Sequence, residues 1–242
     1  MVRWALAALV IVPLVILGLV LALRSANPPY TAFMGHAWLE ARRAGEQLVI
    51  DQRWVPDSCI AASSRLAVLT AEDQKFAIHR GFDFQQIADA RKSAQRGGRI
   101  RGASTVSQQT AKNLFLWPGQ SWIRKGLEAV FTVLMESLWT KQRILEVYLN
   151  VAEFGPGIYG VEAAAQRYFG KPAAALDDAE SALLAAVLPN PRVLQVAAPS
   201  PYVRERQAAI LRQMRQVAGL PRMGPLLAPA HSSCQMPRSS RL

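Results

Sequence analysis

The chain has little of what marks a metalloprotein or a disulfide scaffold. It holds two cysteines, Cys59 and Cys234, and three histidines, His36, His79 and His231, in 242 residues. The histidines stand alone, so no metal-ligand spacing is present. Two cysteines make no disulfide framework, and a single bridge stays open only for a chain working outside the cytoplasm. Strand-like alternation is almost confined to Val49–Val55 (VIDQRWV), which ends at Pro56. No internal repeat is evident.

Acidic residues are also scarce, 17 against 28 Lys and Arg, for a net charge of +11. The surplus lies in two blocks. Residues 80–125 hold nine basic and two acidic side chains, and residues 192–242 hold eight arginines and one glutamate, whereas 126–191 are acidic. Such blocks suit nucleic acid, anionic lipid or a phosphorylated ligand, and charge alone does not choose. The first segment does. From Trp4 to Leu23 the sequence has no charge for 20 residues, about the length of a helix that crosses a hydrocarbon core. A signal peptide has an apolar core of roughly 7–15 residues, and Arg24 makes a poor cleavage context. Residues 1–24 are therefore expected to be an uncleaved transmembrane anchor, which argues against nucleic acid as a partner. Arg3 on one side and Arg24, Arg42 and Arg43 on the other leave its orientation open.

Beyond the anchor the chain reads as helix after helix. Asn27-Pro28-Pro29 ends the anchor, and residues 25–47 are a membrane-proximal helical segment. Further helices are expected over 58–76, 84–94, 104–114, 121–139, 141–150, 161–169, 177–188 and 204–218. Gly-rich, Arg-rich residues 95–102 read as a mobile basic loop, and Gly155-Pro156-Gly157 as another loop. After Leu220, four prolines and several serines without periodicity predict a disordered tail over 221–242. The expected organisation is an anchor (1–24), the proximal helix (25–47), one helical domain (48–220) and the tail.

Three polar clusters interrupt helices that otherwise read as core. In AEDQKFAIHRGFD (71–83), Glu72 and Asp73 close an apolar helix, where burial can raise a carboxyl pKa as general acid-base work requires. In Gly102–Asn113, a Gly-x-Ser-Thr turn opens a helix and exposes backbone N–H groups to an anion. Ser104, Thr105, Gln108, Gln109, Lys112 and Asn113 add a dense set of hydrogen-bonding groups suited to sugar hydroxyls and amides. In Arg124-Lys125-x-x-Glu128, the bland reading is a surface salt bridge worth a few tenths of a kcal/mol. Glu128 nevertheless sits among Leu127, Val130 and Phe131, so its carboxylate is expected to face a cleft. Two separated carboxylates together with Lys and Arg point to glycosyl transfer from a sugar phosphate. Plain glycoside hydrolysis needs the carboxylates but not the cations.

The clusters resemble, in order, the motifs of the peptidoglycan glycosyltransferase family, which includes the N-terminal domains of class A penicillin-binding proteins. They read Glu-Asp-x-x-Phe-x-x-His-x-Gly (72–81), Gly-x-Ser-Thr-x-x-Gln-Gln-x-x-Lys-Asn (102–113) and Arg-Lys-x-x-Glu (124–128). Lys-x-x-Ile-Leu-Glu-x-Tyr-Leu-Asn (141–150), Gly-Val-Glu-Ala-Ala-Ala-x-x-Tyr-Phe (160–169) and the run 179–191 complete the set. With one anchor and no room for a transpeptidase, the chain is most similar to the family's monofunctional branch. Six ordered motifs over about residues 50–195 are more specific than any one of them.

The resemblance implies a mainly α, lysozyme-like domain with a smaller membrane-facing lobe. It also implies polymerisation of lipid II at the periplasmic face of a bacterial inner membrane. By the same resemblance Glu72 is the general base on the lipid II GlcNAc 4-hydroxyl. That hydroxyl attacks C1 of the lipid-pyrophosphate-linked glycan chain in one inverting step. Glu128, Lys112, Arg124 and Lys125 attend the pyrophosphate, directly or through Mg2+ or Mn2+, and no organic cofactor is expected. Ser104, Thr105, Gln108, Gln109 and Asn113 line the donor site, with Asp73 and His79 fixing the turn. Other cell-wall synthesis and division proteins are candidate partners. Two departures stand out: Gln120 replaces a common Arg, and Ala103 a frequent Gly. The rival readings are a lytic glycosidase on a lysozyme-like fold and a non-catalytic membrane scaffold of the wall-synthesis machinery.

Overall fold

The computed structural model describes residues 2–95, 104–228 and 234, with side chains from Val10 onward. The chain begins with α1 (Val2–Leu23) and α2 (Ala32–Arg43), the latter capped by the Thr31 hydroxyl, which accepts from Met34 N. A two-residue strand, β1 (Asp51–Gln52), leads through a 3-10 turn (Asp57–Cys59) into α3 (Ala62–Glu72) and α4 (Phe84–Gln95). Then come α5 (Val106–Phe115), α6 (Trp122–Leu138) and α7 (Lys141–Val151). A short hairpin of β2 (Glu153–Gly155) and β3 (Ile158–Tyr159) precedes α8 (Val161–Phe169) and α9 (Asp178–Val187). The chain ends with α10 (Pro201–Ala218) and α11 (Gly224–Leu227). The mainly helical class read from the sequence is the one observed.

Two packed groups of helices form the core. α9 lies against both α3 and α10, and these two also touch; α5 packs on α6 and on α7. The reason is burial of continuous apolar surface. Ala67, Val68 and Leu69 of α3 and Ala182, Ala185, Ala186 and Val187 of α9 are almost wholly buried, and their small side chains let the helix axes approach. The three strands join in the order β1-β3-β2, with β1 parallel and β2 antiparallel to β3. Asn150 ties α7 to β1 and to the chain just beyond it: its carbonyl accepts from Gln52 Nε2 at 3.1 Å, its amide donates to Val55 O at 2.9 Å and its side-chain oxygen accepts from Val55 N at 2.9 Å.

Two expectations change. The 155–157 loop is the turn of a hairpin, whose strands are too short to show alternation. The first part of the tail expected to be disordered is helical: Met223 and Leu226 are buried and α11 packs on α3. Buried Arg65 explains this seat, since its guanidinium donates to Asp57 and to Leu227 O at 3.2 Å. Cys234 is bonded to Cys59 across 175 residues of sequence. The mobile loop expected over 95–102 falls, beyond Gln95, outside the described residues. As for the anchor, among the described residues, which in α1 carry side chains only from Val10, no helix is long and apolar enough to cross a membrane.

The domain holds the end of α1 through two side chains. Trp139 Nε1 donates to Val20 O at 2.8 Å. Arg143 donates to Leu23 O at 3.1 Å, to Ala26 O at 2.6 Å and to Asn27 Oδ1 at 3.1 Å. The last carbonyls of a helix have no intrahelical donor, so a guanidinium is a fitting partner for them.

Candidate active site

Glu72 is the last residue of α3, and the helix stops there because Asp73 leaves helical geometry. Asp73 turns its carboxylate onto the N-terminus of the next wall of the site. Its Oδ2 accepts from Val106 N, at the first turn of α5, at 2.9 Å. It also meets His79 Nε2 at 2.9 Å, while His79 Nδ1 accepts from Gly81 N at 3.0 Å. With Nδ1 an acceptor, Nε2 carries the proton and donates to Asp73. Gly81 has φ +88, and a Cβ there would sit 2.7 Å from Thr132 Cγ2, so only glycine closes this turn. Thr105 then locks it by donating to Gly81 O at 2.6 Å. Asp73, His79 and Gly81 thus fix the angle between α3 and α5.

That angle places Glu72 against α5. Gln109 Nε2 donates to Glu72 Oε2 at 2.9 Å, and Arg206 of α10 approaches Glu72 Oε1 at 3.3 Å. Gln109 is oriented in turn by Tyr148, whose hydroxyl donates to its Oε1 at 3.2 Å. Burial raises the Tyr148 phenol well above its usual pKa, and the nearby Glu72 and Asp73 charges add to this. The phenol therefore keeps its proton, and the Gln109 amide has only one way to face. Burial likewise raises the Glu72 pKa, against the lowering pull of Gln109, Arg206 and Lys112. A base for a sugar hydroxyl benefits from this direction, because a higher pKa gives a stronger proton acceptor.

Beyond Gln109 opens a cleft of about 400 Å³. Its lining includes Gln109, Lys112, Asn113 and Tyr148, together with Glu153, Tyr159 and the Pro189–Arg192 segment. Lys112 lies over the Phe33 ring of α2, 5.2 Å from its centroid. Burial lowers its pKa, while the Glu128 carboxylate raises it and Arg124 and Lys125 lower it. The Arg124-Lys125-Glu128 set is therefore within electrostatic reach of the cleft. It is not part of the cleft lining. Glu128 is buried, with Arg124 Nη1 on Oε2 at 2.9 Å and Lys125 on Oε1.

The residues singled out from the sequence thus separate by role. Gln109, Lys112 and Asn113 line the cleft, and Glu72 is tied to it through Gln109. Ser104 reaches the group through its carbonyl, a long acceptor for Gln109 Nε2 at 3.4 Å. Thr105 and Gln108 differ from expectation: they form the capping box of α5, and both are buried. A capping box consumes the polar groups that were expected to meet a ligand. Glu128 does not face the cleft as expected, because two cations enclose it. Sequence reasoning missed Arg206, which lies 134 positions from Glu72 in a helix whose only visible signal is basic charge. It also passed over Tyr148, although the Tyr-Leu-Asn motif contains it.

Comparison with known proteins places the chain in a family. The family profile described as Transglycosylase matches residues 42–215. The chain is 53% identical to the "Biosynthetic peptidoglycan transglycosylase" of Xanthomonas oryzae pv. oryzae (strain KACC10331 / KXO85), over 90% of this chain and 89% of that protein. It is 56% identical to the protein of the same name from Shigella boydii serotype 4 (strain Sb227), over 84% and 85% of the two chains. A third, from Pasteurella multocida (strain Pm70), is 61% identical over 68% and 67%. With the matched span running from α2 into α10, and so including Glu72, Gln109, Lys112 and Arg206, the chain belongs to the transglycosylase family.

Proposed function

We propose that this enzyme polymerises lipid II into the glycan strands of peptidoglycan. The single observation that carries the mechanism is the Glu72 carboxylate, held by Gln109 and Arg206 beside a cleft that Lys112 lines. In the proposed step Glu72 takes the proton of the GlcNAc 4-hydroxyl of lipid II. The oxygen attacks C1 of the MurNAc at the lipid-linked chain end, and the C1–O bond to the pyrophosphate breaks. The configuration at C1 inverts, and the lipid pyrophosphate leaves with the bonding pair. Lys112 is the cation placed to receive that charge, and Asn113 and Gln109 hold sugar polar groups. Arg124 and Lys125, tied to Glu128, contribute a positive field behind it.

Among the described residues a divalent cation has no ready protein site. Both Glu128 oxygens are taken by cations, and among the described residues no group of three or more His, Cys, Asp or Glu is placed to hold a metal. No step of the mechanism is routed through one.

We further propose that α1 is a single inner-membrane anchor with the domain in the periplasm. Its 22 residues extend about 33 Å at 1.5 Å per residue, close to the roughly 30 Å of a hydrocarbon core. The uncharged sequence from Trp4 to Leu23 supports this. The Cys59–Cys234 bond suits an oxidising compartment such as the periplasm. Trp122, Ile123, Val130 and Val133 of α6 and Phe84 of α4 are exposed apolar side chains, a surface suited to lipid. Other wall-synthesis proteins remain proposed partners of the same membrane.

The test is incubation of purified full-length protein with lipid II in detergent. Polymer that disappears in Glu72→Gln supports the reading. Degradation of preformed glycan instead would favour a lytic glycosidase, and lipid II that stays monomeric under every condition would favour a scaffold.

A further inference from the structure

Helix α2 forms one wall of the cleft, and its sequence sets which side chains it presents there. Thr31 caps the helix, and Thr31, Met34 and Ala37 are buried. Phe33 and Glu40 are two helical turns apart, so they share a face, and both line the cleft. Glu40 Oε2 lies 3.8 Å from Arg192 Nη1. Phe33 lies against Lys112 of α5, the helix on which α2 packs.

The cations of the cleft lining, Lys112 and Arg192, are held differently. Arg192 Nε is paired with Glu153 Oε1 at 3.2 Å. Lys112 has no hydrogen bond or ion pair among the described residues; its contact is the Phe33 ring, 5.2 Å from Nζ to the centroid. Its basic neighbours are occupied, Arg124 and Lys125 on Glu128 and Lys141 on Glu136. A ring attracts an ammonium through its negative face and takes none of its N–H donors. A carboxylate in the same place would take a donor and offset the charge. Lysine sits on a flexible four-carbon stem, so an ammonium keeps one position only where something holds it. Burial lowers the Lys112 pKa, Glu128 and Glu72 raise it, and Arg124 and Lys125 lower it. Around the same cleft, Glu40 faces His36 and Arg192, Glu153 faces Arg192, and the Tyr148 phenol keeps its proton.

We infer that Phe33 is a positioning residue for the reaction: its ring holds the Lys112 ammonium in place, with the N–H donors free for the departing pyrophosphate. The inference rests on the proposed function for the identity of that group. No bond forms to Phe33 or to Lys112. The C1–O bond breaks, the pyrophosphate oxygen leaves with the bonding pair, and the ammonium donates hydrogen bonds to the oxygens that gain charge. That charge is larger on the departing pyrophosphate than on the bound substrate, so a displaced ammonium costs more in the transition state than in the ground state. Removing the ring should therefore lower kcat more than it raises KM.

The experiment compares full-length wild type, Phe33→Leu and Phe33→Tyr in lipid II polymerisation, and titrates each with a polyprenyl pyrophosphate in detergent. Leucine keeps an apolar side chain but no ring, and tyrosine keeps the ring. Phe33→Leu should lower kcat and weaken pyrophosphate binding about threefold to tenfold, the scale of one cation–ring contact. Its KM should change less than about twofold, and Phe33→Tyr should stay near wild type in all three. The pH profile adds a readout that a packing defect leaves alone. Without the ring the covered ammonium loses an attraction, so its pKa falls and the alkaline limb of kcat/KM moves to lower pH. In a Lys112→Arg background the same substitution should not move that limb, because a guanidinium keeps its proton. Unchanged kcat, pyrophosphate affinity and limb in Phe33→Leu overturn the inference, as does an equal loss in Phe33→Tyr. Wild type that makes no polymer yet binds the pyrophosphate more tightly than Phe33→Leu overturns the functional reading and leaves the positioning role standing. If Phe33→Leu fails to fold, trifluorophenylalanine in place of Phe33 keeps the ring's shape and drains its negative face. Weaker pyrophosphate binding then supports the inference, and equal binding overturns it.

Discussion

Gln109 Nε2 lies 2.9 Å from the Glu72 carboxylate, and the other end of the same amide is 3.2 Å from the Tyr148 hydroxyl. The proposed base is thus oriented by a side chain that is itself oriented, on two different helices. Tyr148→Phe removes one hydroxyl and little volume from a buried position. It should lower kcat roughly tenfold by letting the Gln109 amide rotate, with a small effect on KM. Steady-state polymerisation and a thermal melt separate this from a folding defect. An unchanged kcat would mean that the amide holds its orientation without the phenol.

The pH dependence comes from the Glu72 environment. Burial raises its pKa, and Arg206, Gln109 and Lys112 pull it back towards the ordinary value of 4.5. A general base works ionised, so activity should rise with pH through this raised pKa and be lost below it. Arg206→Met removes one lowering influence. The acidic limb of kcat/KM should therefore move to higher pH, and a move to lower pH would contradict the ion pair.

Gln120 stands exposed next to Gly119, at the position where the resemblance implies an Arg. Arg124 is poorly free to compensate, since its Nε donates to Gly119 O at 2.8 Å and its Nη1 is on Glu128. Gln120→Arg should raise affinity for a lipid-pyrophosphate analogue several-fold by adding a charge-assisted contact. An unchanged or lower affinity in a direct binding titration would count against it.

The bond between Cys59 and Cys234 closes a loop of 175 residues. Loop-closure entropy for so long a loop gives an upper figure of about 5 kcal/mol. Cys59→Ser should lower the melting temperature, and a reductant should lower it in the wild type but not in the variant. Digestion of the C-terminal segment by trypsin should follow the same order. A reductant-insensitive wild-type melt would show that α11 keeps its seat without the bond.

Much of the fold was legible in short-range sequence. Val161–Phe169 is the helix read from the pattern, bounded by Gly160 and Gly170. Thr105 followed by Gln108 announces a capping box, and α5 begins there. The capping box engages the same polar atoms of those two residues that a ligand contact would use. Glu72 was legible because it ends an apolar helix. Arg206 was not, because pairing across 134 positions leaves no local trace. The hairpin at 153–159 was missed for a related reason: two- and three-residue strands are set by their neighbours, here β1 and Asn150, rather than by their own alternation. The ordered start of the tail depends on Arg65, whose carbonyl partner at Leu227 is equally remote.

Arg143 joins Leu23 O, Ala26 O and Asn27 Oδ1 in one guanidinium and lies 5.4 Å from the centre of the Trp54 ring. A tether that swivelled would let the cleft sample many heights and tilts above the bilayer. With the exit of α1 gripped on three acceptors, a proposed anchor at α1 would lose that freedom, and the cleft would stand at a set elevation. With α1 as the proposed membrane anchor and a leaving group that stays dissolved in lipid, the gripped exit would act as a gauge block between the membrane plane and the Glu72 carboxylate.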